Sequence, residues 1–518
     1  MNKNTLKQLT VAHSWLGLVI SGALMVVFLC GTLSFFKANI HAWEQYHHYN
    51  SALPTNMLSP GEISKIIIER NYNIPSDHRV MVLFPTEDSP QYQVFFSTEG
   101  DNGEHKRHRL FFDPQTGEQL ADLNSRYYLS DFLYKLHIDL NIPAGKEIVG
   151  IVSLLFFVIV ISGVLIHLKK LIKYFYQYRL KRNKDTYLDG HNLIGVTSLP
   201  YTFMYALTGV MFNLSILYQA SFGVFVFQGN IDKLAETSGF VAPTNVALSG
   251  EPMQWRAIDL AVDHASKQLP KSKVYVAKIW GFGDKNAQMQ LRLINANSVT
   301  ERLTIDYPLD NYLNHNTVHV MENPVQGTYH ILKQLHYGNF GGLTLQFIYF
   351  FLGLACCYLI LSGNLIWLEK RASSRKQSQR NLKFVHAMTL SLSIGTLISV
   401  ALCFIGSRFL PEAFARIDAL PYLFSVGLVF SFMHAYLVNN SRSVMSQQAC
   451  VAGILFALCP LYDLIHIVMT EISQGSLINL ILVNVISLIV SLFCLWFSYH
   501  KHSTKEYMIK DQLEVVME

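Results

Sequence analysis

Residues 13–36 read HSWLGLVISGALMVVFLCGTLSFF, and residues 191–213 read HNLIGVTSLPYTFMYALTGVMFN. Setting His13 on His191 places Gly17 on Gly195 and Gly31 on Gly209, all at one offset of 178 residues. Self-similarity at a fixed spacing predicts an internal repeat. Both stretches are long enough to cross a bilayer, which takes about 20 mostly apolar residues in a helix. In each, a glycine stands one turn after the histidine, on the same helix face.

The repeat continues outward from these stretches. YKLHIDLN at 134–141 precedes an apolar run ending in SGVLIHLKK, and KQLHYGNF at 333–340 precedes one ending in SGNLIWLEK. Between the two runs of each half lies a polar segment in which a helix-like stretch is followed by period-two alternation. In the first half GEISKIIIER precedes VMVLFP, YQVFFS and RLFFDPQTGEQL, where Asp113-Pro114 and Thr116-Gly117 mark a tight turn. In the second half AIDLAVDHASKQL precedes VYVAKIWGF, AQMQLRLIN and ERLTIDYP. Each segment reads as a small α+β module.

Composition agrees with a lipid environment: 51% of the 518 residues are hydrophobic and only 15% charged, against roughly 25% charged in an average globular chain. The 41 basic and 36 acidic residues nearly balance, so a nucleic-acid partner has no electrostatic support. All seven cysteines fall in apolar runs, and no Cys-x-x-Cys-His is present to attach a haem covalently. The expected fold is a mainly α membrane protein with eight transmembrane helices, of which the first four form a two-fold repeat. The expected order is a first helix within 1–37, an outside module at 38–146, a helix at 147–168, a basic loop at 169–190 and a helix at 191–225. A second module at 226–342, a helix at 343–367, a basic loop at 368–383, a four-helix bundle at 384–499 and a tail at 500–518 complete it. The two basic loops carry seven and six Lys or Arg residues, which places them and both termini inside. The first helix lacks a convincing small-residue cleavage site and is read as retained.

Histidine is costly at membrane depth and usually faces a partner or a cofactor. His13 and His191 begin spans on the inner side, while His137 and His336 precede spans on the outer side. Each pair is related by the repeat and can face itself across a pseudo-two-fold axis. Two facing imidazoles supply the axial ligands of a six-coordinate b-type haem, and Gly17 and Gly195 would let a flat macrocycle approach the backbone. Two haems, one near each surface, would divide the crossing into two electron steps. His167, whose repeat mate is Trp367, could form a third site with His386. Trp15, Tyr134, Tyr337 and Phe340 are candidates to pack on the macrocycles. The outside histidines His41, His47, His48, His105, His108, His315, His319 and His330 read as solvated surface. The plainer alternative for any one membrane histidine is a hydrogen-bonded packing residue.

HSWLGL at 13–18, YKLHIDL at 134–140, SGVLIH at 162–167, DGHNLIG at 189–195, KQLHYGNFGG at 333–342 and SGNLIW at 362–367 together resemble the PepSY-associated transmembrane family, the group that includes FoxB-type bacterial siderophore reductases. FDPQTGEQL at 112–120 resembles the end of a PepSY module. The resemblance covers roughly residues 8 to 370. It implies a multi-pass protein of the bacterial inner membrane, with both termini cytoplasmic, two periplasmic PepSY-like modules and b-type haems held by His13, His137, His191 and His336. The four C-terminal spans and Trp367 depart from the smallest members.

The function expected from this resemblance is transmembrane oxidoreduction: a di-haem protein reducing periplasmic ferric iron, carried by a siderophore or another ferric chelate, and releasing Fe(II). His137 and His336 would hold the haem that reduces substrate, and His13 and His191 the haem that accepts electrons. No G-x-G-x-x-G follows a strand and no P-loop is present, so quinol or a separate cytoplasmic flavoprotein is the expected donor. A membrane-anchored PepSY protein that binds or regulates peptidases is one alternative, although an anchor needs no paired histidines. A transporter is another, weakened by the scarcity of acidic residues in the spans, where Asp463 is the main exception.

Overall fold

A computed structural model describes residues 2–45, 53–86, 89–99, 105–120, 128–169, 183–238, 246–294, 302–319, 323–372, 378–410, 416–469 and 480–500. In chain order, α1 (Lys3–Ser34) and α2 (Lys37–Gln45) precede α3 (Pro60–Glu69), β1 (Val80–Leu83), β2 (Tyr92–Glu99) and β3 (His105–Phe112). Next come α4 (Leu129–Asp139), α5 (Gly145–His167), α6 (Asn183–Thr197), α7 (Leu199–Asn213), α8 (Ser215–Phe225) and α9 (Ile231–Ser238). They lead to α10 (Arg256–Gln268), β4 (Lys273–Trp280), β5 (Gln288–Ile294), β6 (Arg302–Pro308), β7 (Asn316–His319), α11 (Pro324–Tyr337) and α12 (Gly342–Ala372). The remainder is α13 (Gln379–Leu390), α14 (Thr396–Phe409), α15 (Arg416–Val438), α16 (Ser441–Met469) and α17 (Leu480–His500). The chain divides into a helical unit (1–50, 127–216, 346–518) and a sheet unit (51–126, 217–345).

In the helical unit, seven described helices are long and apolar enough to cross a membrane. An eighth crossing is possible where α6 and α7 meet at a bend of 71°. The sequence predicts one continuous helix over 191–225, and the break has a local cause. Pro200 is the second residue of α7; its ring would clash with the carbonyl of Val196 and it lacks an N–H to continue the ladder. The chain breaks again at Leu214, between α7 and α8. A five-residue π turn, Ser391–Gly395, joins α13 to α14. The C-terminal helices share a core with the first span: Val400, Cys403, Phe404 and Leu420 cluster with Leu29, Cys30, Trp43 and Leu133.

In the sheet unit, the two predicted modules are not separate. The seven described strands form one antiparallel sheet in the order β3-β2-β1-β4-β5-β6-β7, joined where Val80 pairs with Ile279 and Leu83 with Val276. Pairing the first strand of one module with the first strand of the other removes two open edges, which would otherwise invite association. The helix-then-strands order in each half is as the alternation predicts; β7 is additional, and its polar sequence gives no alternation to read. Helix α10 buries Ala257, Ile258, Ala261 and Ala265 along one stripe, and α3 buries Ile63 and Ile67. Asp259 of α10 also caps α3, accepting from Gly61 N and Ser59 Oγ at 2.8 Å each.

Candidate functional site

The histidines near the basic end of the helical unit are held by the same device twice. Ser162 Oγ on α5 donates to the Ile159 carbonyl at 2.8 Å, so that oxygen is left as an acceptor for His13 Nδ1–H at 2.9 Å. On α12, Ser362 Oγ donates to the Leu359 carbonyl at 3.0 Å and accepts from His191 Nδ1–H at 3.1 Å. A ring that donates from Nδ1 keeps its lone pair on Nε2, and a bond of this kind is how metal-ligating histidines are usually oriented. Among the described residues, neither His13 nor His191 uses Nε2 in a hydrogen bond.

Each serine is followed by a glycine that admits the ring. A Cβ at Gly163 would stand 3.3 Å from His13 Cε1, and one at Gly363 would stand 3.2 Å from His191 Cε1. Gly17 and Gly195 play a different part: a Cβ at Gly17 would meet no atom within 4 Å, and one at Gly195 only Leu359 at 3.6 Å. The face one turn beyond each histidine is therefore open enough for a flat group. His167 stands one turn past Gly163, which seats His13. Of the third site predicted from His167 and His386, His386 on α13 bonds through Nε2 to Ser441 Oγ on α16 at 2.9 Å, and its buried Nδ1 has no hydrogen-bond partner among the described residues.

His137, on α4, follows the same logic with a main-chain acceptor. Its Nδ1 lies 2.9 Å from the Val27 carbonyl of α1, which can only accept, so Nδ1 carries the proton. The ring rests where Gly31 has no side chain, and a Cβ there would stand 2.5 Å from Nδ1 and 2.7 Å from Cε1. The sequence marks Gly31 only as a repeat position; its role as the seat of His137 emerges from the fold. His336 sits on α11 of the sheet unit, buried and edge-on to Tyr337.

What orients α4 is a buried polar chain that begins in the C-terminal bundle. Asp463 on α16 meets Arg408 of α14 at 2.9 Å, and both side chains are almost fully buried. Asp463 also accepts from Trp43 Nε1 at 2.9 Å and Asn484 Nδ2 at 2.8 Å, while Arg408 stacks 3.7 Å from the centre of the Trp43 ring. The next residue, Glu44, caps α4 by accepting from Leu129 N at 2.8 Å and Ser130 N at 3.2 Å. Burial pushes the Glu44 carboxyl up to about 7, although those N–H groups and the nearby Arg416 and Arg408 favour its charged form. None of this chain was legible as a site, since Trp43 and Asp463 stand 420 residues apart.

Among the described residues there is no group of three or more His, Cys, Asp or Glu side chains placed to hold a metal ion; an axial pair needs only two. The outside histidines are not all solvated surface as expected. His330 is buried, and His264 and His315 meet at 4.7 Å between ring centres beside Tyr307. His105 is exposed as expected, with its ring 4.9 Å from that of His78, and His41 rests edge-on against Tyr128. His47 and His48 lie outside the described residues. Burial and then Lys106 lower the His108 pKa. No curated protein matches the chain. The family model of the PepSY-associated TM region matches residues 10–370, and the chain, with its run of apolar helices, belongs to that family.

Proposed function

We propose that this protein is a di-haem b oxidoreductase that carries electrons across the bacterial inner membrane to a ferric chelate, most simply an Fe(III)-siderophore, on the periplasmic side. The observation that carries the reading is the state of three histidines: His13, His191 and His137 each spend Nδ1–H on a fixed acceptor, which leaves Nε2 as the basic nitrogen. Such tethering fits axial ligation and is an expensive way to make mere packing residues. The open faces beside Gly17 and Gly195 fit a flat macrocycle, and the recurrence of the His–Ser contact in the second half supports a symmetric pair.

In this reading His13 and His191 hold the inner haem, and His137 and His336 the outer one, a pairing that rests on the repeat. A bound haem supplies one-electron transfer between ferrous and ferric iron. The chain's own residues orient and tune: Ser162, Ser362 and the Val27 carbonyl fix the imidazole rings, and the apolar spans exclude water from the crossing. Iron released as Fe(II) leaves because it binds hard oxygen donors less tightly than Fe(III) does. The sheet unit would then be periplasmic and receive the chelate, and both termini cytoplasmic.

The test is absorption of detergent-purified protein before and after dithionite, with a pyridine haemochrome assay for stoichiometry. Two b-type haems per chain are expected, and mixing the reduced protein with a ferric siderophore should reoxidise it. A colourless preparation from haem-replete cells would sink the reading and favour the membrane-anchored peptidase-binding alternative.

A further inference from the structure

We propose that His264 and His315, in the sheet unit, form a binding site for a divalent transition ion of the kind imidazole favours: Ni(II), Cu(II), Zn(II) or Fe(II). His264 lies in the last turns of α10, and His315 immediately precedes β7. Neither is a candidate haem ligand, so the site stands apart from the haem pairs proposed above.

The protons of this cluster are fixed by groups that can only donate or only accept. His315 Nδ1 lies 3.1 Å from the Leu313 carbonyl, which accepts, so Nδ1 carries the proton and Nε2 the lone pair. The Gln268 atom that stands 3.2 Å from that Nε2 must then be a donor, the amide nitrogen and not the oxygen. The same nitrogen lies 3.4 Å from His264 Nε2, which makes that ring nitrogen an acceptor as well. His264 Nδ1–H is left to donate to Tyr307 Oη at 3.1 Å. Two imidazole lone pairs therefore converge on one partly positive amide group.

A metal cation satisfies two converging lone pairs better than one shared amide does. Imidazole is a common ligand of Zn, Cu, Ni and Fe, and a ligating ring normally spends its other N–H on a fixed acceptor. Both rings do so here, one on a hydroxyl and one on a carbonyl. Tyr307, fully buried, holds both in place: it stacks on His315 at 5.5 Å between centres and meets His264 edge to face at 6.0 Å. The two imidazole centres are 4.7 Å apart. His264 and Gln268 stand one turn apart on one face of α10, and turning the Gln268 amide about its soft terminal torsion offers Oε1 as a third donor. Both rings are half-buried and Gln268 is exposed, so water can fill the remaining coordination positions. Mg(II) and Ca(II), which require several oxygen ligands, are a poor match for this donor set.

The experiment is calorimetric titration of the purified full-length protein with nickel chloride, with haem content and melting temperature measured on the same samples. Compared with wild type, His264→Ala and His315→Ala should each bind one Ni(II) fewer per chain while haem content stays unchanged. Tyr307→Phe keeps the buried ring and deletes the acceptor of His264 Nδ1–H, so affinity at this site should fall about 10- to 100-fold. Cu(II) added in place of nickel should give an electron paramagnetic resonance spectrum split by two imidazole nitrogens in the wild-type protein. Equal Ni(II) stoichiometry in wild type and both alanine variants would overturn the site. Should an alanine variant unfold, the wild-type copper spectrum still decides, and coupling to fewer than two nitrogens overturns the pairing.

Discussion

Replacing Asp463 by asparagine keeps the shape of the side chain and removes one charge from the most buried ion pair described in the molecule. Asp463 is 0% and Arg408 3% exposed, and their closest nitrogen and oxygen stand 2.9 Å apart. A second approach, Arg408 Nη2 to Asp463 Oδ2, is 3.0 Å, and Trp43 and Asn484 donate to the same carboxylate. After the substitution the buried guanidinium loses its bonded carboxylate and keeps only the nearby Glu44, which burial pushes toward its neutral form, a situation that costs about 3–5 kcal/mol. Against a typical total stability of about 5–15 kcal/mol, that is a large fraction. The damage should also travel, because Trp43 precedes Glu44, Glu44 caps α4, and α4 carries His137. Unfolding in mixed micelles followed by circular dichroism measures the loss, and haem spectra show whether one haem goes before the other. The double variant Arg408→Met with Asp463→Leu should recover most of the stability, since it removes both charges and their desolvation cost together. A loss under about 1 kcal/mol in Asp463→Asn, or a double variant worse than the single, would refute the view that this pair is buried and coupled.

Gly31→Ala places a Cβ 2.5 Å from His137 Nδ1, so the ring must turn and abandon the Val27 carbonyl; the haemochrome assay should fall from two haems to one. Two retained haems would show that His137 does not need its seat. Ser362→Ala removes the acceptor that fixes His191, and haem affinity should drop about 10- to 100-fold, read by haem transfer to apomyoglobin, because the imidazole loses the bond that orients it. Glu44, raised by burial from its ordinary value of 4.5 to about 7, binds its proton more tightly folded than unfolded. Its contribution to stability is therefore fully present below pH 4.5 and falls by roughly 3 kcal/mol as pH rises to 7, and Glu44→Gln should remove that component from melts taken across the range.

Much of the helical frame was legible because lipid imposes it. A span needs a long apolar run, and the runs at α1, α5, α12 and the C-terminal helices announce themselves by length. The third span was misread because its composition is apolar throughout; only the geometric effect of Pro200 turns the chain by 71° there. Strands β1 to β6 were legible from alternation and turn residues, with Asp113 accepting from Gln115 N and Thr116 N at the turn. The candidate site was half legible. Four histidines were picked out by spacing, whereas Ser162 and Ser362 passed unnoticed as ordinary residues of the SG pairs that mark the repeat.

By itself, then, the sequence determined where the chain is apolar, where it alternates and which histidines recur, because those properties lie in neighbouring residues and their periods. The tertiary structure decided the rest: the joining of two modules into one sheet through β1 and β4, the seating of His137 on Gly31, and the tie between Trp43 and Asp463. The physical reason is that a hydrogen bond, a strand pairing or a void beside a glycine depends on which distant surfaces meet. His13 shows the division most simply. Its place in an apolar helix is written locally, but the proton on its Nδ1 is set by a serine 149 residues away.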